Sequence, residues 1–120
     1  MESQLRQRKT LPHTPPPWVR NADMFFITIK GSPRGYNQFA NNAVARSILD
    51  SGEFYHSLGK WHCRLLLIMP DCLHLLASFP GDVDMKVFVT EWKSYLSKRL
   101  KVRWQRDFLD RRIRNNEGLD

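Results

Sequence analysis

Cysteine is scarce in this 120-residue chain, with two residues, and acidic side chains are few, twelve against nineteen Lys and Arg. Neither Cys63 nor Cys72 lies in a Cys-x-x-Cys pair, which points to a reducing compartment rather than a disulfide-built domain. Long apolar runs are missing too: none approaches the roughly 20 residues a membrane helix needs. The N-terminal stretch MESQLRQRKTLPHTPPPW is basic and lacks an apolar segment, so it does not read as a secretory signal. A cytoplasmic protein with no membrane partner is expected. No internal repeat is visible, and the length suits a single domain that buries about 65% of its unfolded surface.

What the chain does have is positive charge, unevenly placed. The formal net charge is +7, and residues 86–114 alone carry ten Lys or Arg against Glu91, Asp107 and Asp110. Residues 1–20 contribute +3, residues 21–85 come to −1 and the last six to −2. Cations gathered in one quarter of a chain suit a polyanion such as nucleic acid, although a solvated basic face would look the same. Lys86, Lys93, Lys101, Arg103, Arg106, Arg111, Arg112 and Arg114 are the candidate phosphate contacts. Trp104 is a candidate for stacking on a base.

Three organisational units are expected: a basic, proline-rich arm over 1–21, a core domain over 22–114 and a tail over 115–120. The β-branched and aromatic run MFFITIK, Met24–Lys30, predicts a strand that ends at the turn GSPRG. Ala40, Val44, Ile48 and Tyr55 approximate helical spacing from Phe39 to about His56, with Gly52 a weak point. WHCRLLLIM and CLHLLASF predict two strands joined by a tight turn at Pro70-Asp71. Asp84 is a good N-cap for an amphipathic helix bearing Met85, Phe88, Val89, Trp92, Tyr95, Leu96 and Leu100. Tyr95 therefore reads as core, and Lys86, Lys93 and Lys101 as a separate stripe. Val102–Arg114 alternates, which predicts a strand running into a short helix. The order β-α-β-β-α-β is the ferredoxin-like, α+β arrangement: a four-stranded antiparallel sheet with two helices on one face and the other face open.

Cys72 and His74 sit two apart on a strand, about 6.6 Å along the backbone and on the same face. Packing alone would explain them, with Cys72 a small hydrophobe and His74 bonded to a carbonyl. A weakened metal site would also explain them, with His74 its surviving ligand. A zinc cluster that also uses His62 and Cys63 does not fit hairpin geometry. If Met69 pairs with Cys72, then Cys63 faces Ser78, far from Cys72.

Several segments, in order, resemble the REP-associated tyrosine transposases, a branch of the single-tyrosine HUH transposases. FFITI is similar to the family's first strand, IMPDCLHLLASF to its Met-Pro-Asn-His-x-His-Leu-Leu strand and EWKSYLSKRL to its Lys-bearing second helix. WQRDFLDRRIR resembles the family's Trp-Gln-Arg-x-Phe-x-Asp-x-x-Ile-Arg block, and the match spans about residues 11 to 118. The resemblance implies the same ferredoxin-like core and DNA transposition on single-stranded DNA beside hairpins. A tyrosine hydroxyl would join the 5′ phosphate covalently, and a divalent ion, Mg²⁺ or Mn²⁺, on the two histidines would offset phosphoryl charge. Cys72 stands at the first of those histidines and His74 at the second. The family's nucleophile lies in a later Tyr-Ile-x-x-Asn-Pro segment. Tyr36, Tyr55 and Tyr95 do not match it, so no phosphotyrosine is expected from the sequence as it stands. Relatives include monomers and homodimers that exchange active-site helices.

Three functions follow from these features. One is a transposase-family DNA-binding domain without strand transfer. The second is a non-catalytic module for hairpin or single-stranded DNA or RNA. A third, a metal-dependent phosphodiesterase using water, has only His74 and Asp71 to work with.

Overall fold

A computed structural model describes residues 15–114 and the backbone of residues 7–9. In chain order the elements are β1 (Gln7–Lys9), a 3₁₀ turn at Pro17–Asn21, β2 (Met24–Lys30), α1 (Asn42–Ser57), β3 (His62–Ile68), β4 (Cys72–Ser78), α2 (Met85–Leu100) and β5 (Leu109–Ile113). The sheet order is β1-β3-β4-β2-β5, with every adjacent pair antiparallel. Strands β2 to β5 with the two helices make the expected ferredoxin-like α+β core. The added β1 makes the sheet five-stranded. It lies within the stretch expected as an arm, and the rest of that stretch up to residue 14, with the tail 115–120, lies outside the described residues.

Side chains alternate along a strand, so the pairing register assigns each residue to one face. Ile27, Ile29, Leu66, Ile68, Leu73 and Leu75 face the helices and form one buried cluster with Ala45, Ile48, Val89, Trp92 and Leu96. Trp61 meets Phe79, Phe88 and Trp92 at centroid separations of 5.9, 4.9 and 5.2 Å. Such aromatic pairs add about 0.5–1.5 kcal/mol each beyond the area they bury. Inside this layer Trp92 Nε1 donates to Ser51 Oγ, which donates to the Ile48 carbonyl.

Helix α1 begins at Asn42, three residues later than the apolar spacing suggested, because the Asn41 side chain caps it by accepting from Val44 N. Gly52 stays inside the helix: a Cβ there would stand 3.2 Å from Leu66 Cδ2, and its carbonyl accepts from Trp61 Nε1. Asp84 caps α2 as expected, accepting from Lys86 N and Val87 N. Three sequence expectations are corrected. Tyr95 is 41% exposed rather than core. Val102–Phe108 is irregular and runs into strand β5, the reverse of a strand followed by a helix. A register shift between Cys63 and Leu65 places Cys63 opposite Ala77 instead of Ser78. Cys63 thus points into the core, where burial pushes its thiol up to about 12.

Candidate nucleic-acid interface

The face away from the helices carries Phe26, Thr28 and Lys30 of β2, opposite Leu76, His74 and Cys72 of β4. On the other side of β2, Leu109 pairs with Thr28 and Arg111 with Phe26. Strand β4 lies between β3 and β2, so the Cys-x-His pair sits inside the sheet and not at its edge. Phe26 is 39% exposed and Leu109 59%, and no described helix covers them.

Cys72 Sγ lies 3.6 Å from His74 Nε2, and Thr28 Oγ1 lies 3.1 Å from His74 Nδ1. The same imidazole stacks on the Phe26 ring at 5.7 Å and 7°. Burial, then the charge on Arg34, pulls the His74 pKa below its ordinary value. A neutral imidazole donates through one ring nitrogen and accepts through the other, which matches a hydroxyl on one side and a thiol on the other. Burial, followed by the Asp71 charge, pushes the Cys72 thiol up, while Arg34 and Lys30 pull against it. Both groups are held neutral. The pair converges as the two-residue spacing predicts, yet it is not an activated thiolate–imidazolium pair.

Sequence reasoning missed three partners. Thr28 and Lys30 arrive from β2, and Arg34 comes from the loop after it. That loop is tied to the β3–β4 turn: Gly31 N donates to the Asp71 carbonyl at 2.8 Å, and Gln38 N and Phe39 N both donate to the Pro70 carbonyl. The Asp71 carboxylate accepts from Gly35 N at 2.9 Å and pairs with Arg34 Nε at 3.4 Å. Period-two spacing could have flagged Thr28 and Lys30 as sharing a face with Phe26. Their meeting with His74 needed the strand register.

The expected phosphate contacts divide among several surfaces. Arg106 rims a groove of about 400 Å³ with Thr28, Lys30 and Ser32, beside the Cys72–His74 pair. Arg111 joins them on the uncovered face. Arg103 is exposed at the loop junction, its backbone N–H bonded to Gln38 Oε1, and Arg114 is exposed just past β5. Arg112 points to the helix side, bridged to Asp23 at 3.1 Å and lying over Phe25. Lys86 and Lys101 are exposed at the two ends of α2. Lys93 is turned inward, 8% exposed, donating to the carbonyls of Gln105 and Arg106 at 3.0 and 3.2 Å. The expected lysine stripe is therefore interrupted. Trp104 is half-buried, stacked on Phe39 at 4.8 Å with its Nε1 donating to the Lys93 carbonyl, so its ring serves the fold.

The metal implied by the family resemblance finds a poor donor set here. Mg²⁺ and Mn²⁺ take hard oxygen ligands, whereas this site offers a protonated thiol, one imidazole and a hydroxyl. The carboxylate of Asp71 is already engaged by Arg34 and Gly35. Among the described residues no group of three His, Cys, Asp or Glu is placed to hold an ion.

No family model and no curated protein matches this sequence. Solved structures do. A candidate transposase from Deinococcus radiodurans R1 superposes with a TM-score of 0.64 at 16% identity, over 86% of this chain and 83% of its own. A REP-associated tyrosine transposase bound to a REP hairpin gives 0.66 at 17% identity, over 89% of this chain. The chain shares the fold of these two proteins. It spans 65% of the length of the hairpin-bound protein. In that fold as this chain builds it, the uncovered sheet face holds the Cys-x-His strand at its centre. Among the described residues no helix is long and apolar enough to cross a membrane.

Proposed function

We propose that this chain is a DNA-binding domain that holds single-stranded or hairpin DNA on the uncovered face of its sheet and does not cut it. The observation that carries this reading is the pairing of exposed apolar surface, Phe26 and Leu109, with a rim of Lys30, Arg34, Arg106 and Arg111. Stacking on an aromatic ring is sequence-tolerant and contributes about 1–3 kcal/mol per base, while cations around it take the backbone. Support also comes from the hairpin seen on a protein of the same fold. For the absence of cutting, the reading rests on Cys72 standing where the family resemblance has its first metal histidine. It rests also on the described tyrosines, none of which matches the family's nucleophile: Tyr55 and Tyr95 belong to the helix layer on the opposite side of the sheet, and Tyr36 is exposed in the loop after β2.

A hairpin oligonucleotide with a single-stranded flank tests both halves. Its affinity falls with salt at a slope of about −0.7 per phosphate neutralised on the single strand. Phe26→Ala and Arg111→Gln each weaken binding, whereas Lys98→Gln, on the helix side, does not. Incubation with Mn²⁺ yields no covalent protein–DNA adduct on a denaturing gel. Salt-independent binding, or an adduct, contradicts the proposal.

A further inference from the structure

We infer that the Cys72–His74 site is a metal-free phosphodiester pocket, in which the Lys30 ammonium and the Arg34 guanidinium supply the positive charge beside the phosphate. Its ligand class rests on the DNA-binding reading; its chemistry rests on the groups gathered there. Lys30 is the direct cross-strand partner of Cys72 on the uncovered face. Side chains opposed in this way have Cβ atoms about 5 Å apart. Arg34 approaches the same thiol from the loop above, close enough for its charge to pull against the rise in the thiol's pKa. Asp71 fixes that approach twice, through its carboxylate to Nε and its carbonyl to a terminal nitrogen at 3.3 Å. The guanidinium has five N–H donors in a planar fork, so the grip of Asp71 leaves donors free and orients them.

Charge decides which ligand this cluster suits. Lys30, across the strand pair from Cys72, and Arg34 face one carboxylate, Asp71, so these charged side chains leave a single excess positive charge. Adding a divalent cation would raise that excess to three. Asp71 is already engaged by Arg34, Asp107 in the adjoining groove acts on Lys93, and among the described residues no three His, Cys, Asp or Glu are grouped to hold the ion. A phosphodiester carries one negative charge and would neutralise the cluster. The hydrogen-bonding inventory agrees. The ammonium and guanidinium donate and cannot accept, the hydroxyl, thiol and imidazole are engaged with one another beside them, and the oxygens of a phosphodiester are acceptors. The groove beside Thr28 and Lys30 opens onto Arg106, giving the strand a path away from the pocket.

Nuclear magnetic resonance on the full chain, with His74 ring signals assigned, tests the pocket without oligonucleotide. Titration with dimethyl phosphate in EDTA should shift the His74 ring and Arg34 Nε signals. Titration with Mn²⁺ should produce no line broadening localised at His74. In a second arm, binding of the hairpin oligonucleotide in EDTA should equal that in Mn²⁺. Arg34→Gln or Lys30→Gln should cost about tenfold, the worth of one charge-assisted hydrogen bond, with Arg34→Lys recovering part of it. Melting curves confirm that the variants are folded. Localised Mn²⁺ broadening at His74, or dimethyl phosphate leaving His74 and Arg34 unmoved, overturns the inference. Hairpin binding that survives both substitutions overturns it while leaving the DNA-binding reading standing. A phosphate response without any hairpin binding sinks the DNA-binding reading and keeps the pocket.

Discussion

His74 has the most consequential surroundings of any side chain in this protein. Its ring is stacked on Phe26, bonded to Thr28 and set against Cys72. Burial keeps it neutral, so its folded pKa lies below the unfolded value of 6.5. For a depressed histidine, the unfolded chain binds the extra proton first as pH falls. Its stabilising contribution is therefore complete above about pH 6.5 and is lost as pH drops toward the lower folded value. Melting temperatures recorded from about pH 7.5 down to about pH 5 should fall less steeply for His74→Gln than for the parent chain. Equal slopes would mean the ring titrates normally. That Cys72 and His74 share a face was legible from spacing alone. The identity of their neighbours was not, because charge summed over residues 21–85 comes to −1 and hides Lys30 and Arg34 among six acids. Lys93 shows the opposite failure. It counts as one more cation in a basic run, yet its ammonium organises the 105–106 backbone and lies 5.6 Å from the Phe108 ring centroid.

Among the elements, those governed by a repeating pattern were read well. Strand β2 occupies the residues its β-branched run marked, and α2 starts at the residue after its aspartate cap. The stretch from Val102 to Phe108 was read poorly, because its alternation of polar and apolar residues imitates a strand. Its shape is set by distant side chains instead. Gln38 accepts from Arg103 N and donates to the carbonyls of Arg103 and Ser32, while Ser97 Oγ donates to the Val102 carbonyl. A single bridge joins Trp104 to Gly31. Gly31 is the tight point of this junction, for an added Cβ would stand 2.9 Å from Gln38 Nε2 and 3.0 Å from Phe39 Cζ. The Phe39 ring cannot yield freely because it is stacked on Trp104. Gly31→Ala should therefore destabilise the fold by about 1–3 kcal/mol in urea titrations. Gly81→Ala, where nothing lies within 4 Å, should change little. Equal stabilities for the two variants would show that the junction is looser than its contacts imply.

Across the whole molecule, the sheet separates two chemical surfaces. One side is closed by α1 and α2 and carries Lys86, Lys98, Arg99 and Arg112, with Phe54, Leu58, Val87 and Tyr95 exposed among the helices. The other side is the uncovered face with the Cys72–His74 site. The basic run over 86–114 contributes to both, so local sequence density of charge did not report a single surface. What gathers cations around the site is topology, which inserts β4 between β3 and β2 and folds the 31–38 loop over the β3–β4 turn. Amide hydrogen exchange with and without the hairpin oligonucleotide tests this placement most directly. Added protection should appear in β2, β4, β5 and residues 31–36, with α1 and the exposed side of α2 unchanged. Protection concentrated on α2, around Lys86, Lys98 and Arg99, would contradict the account.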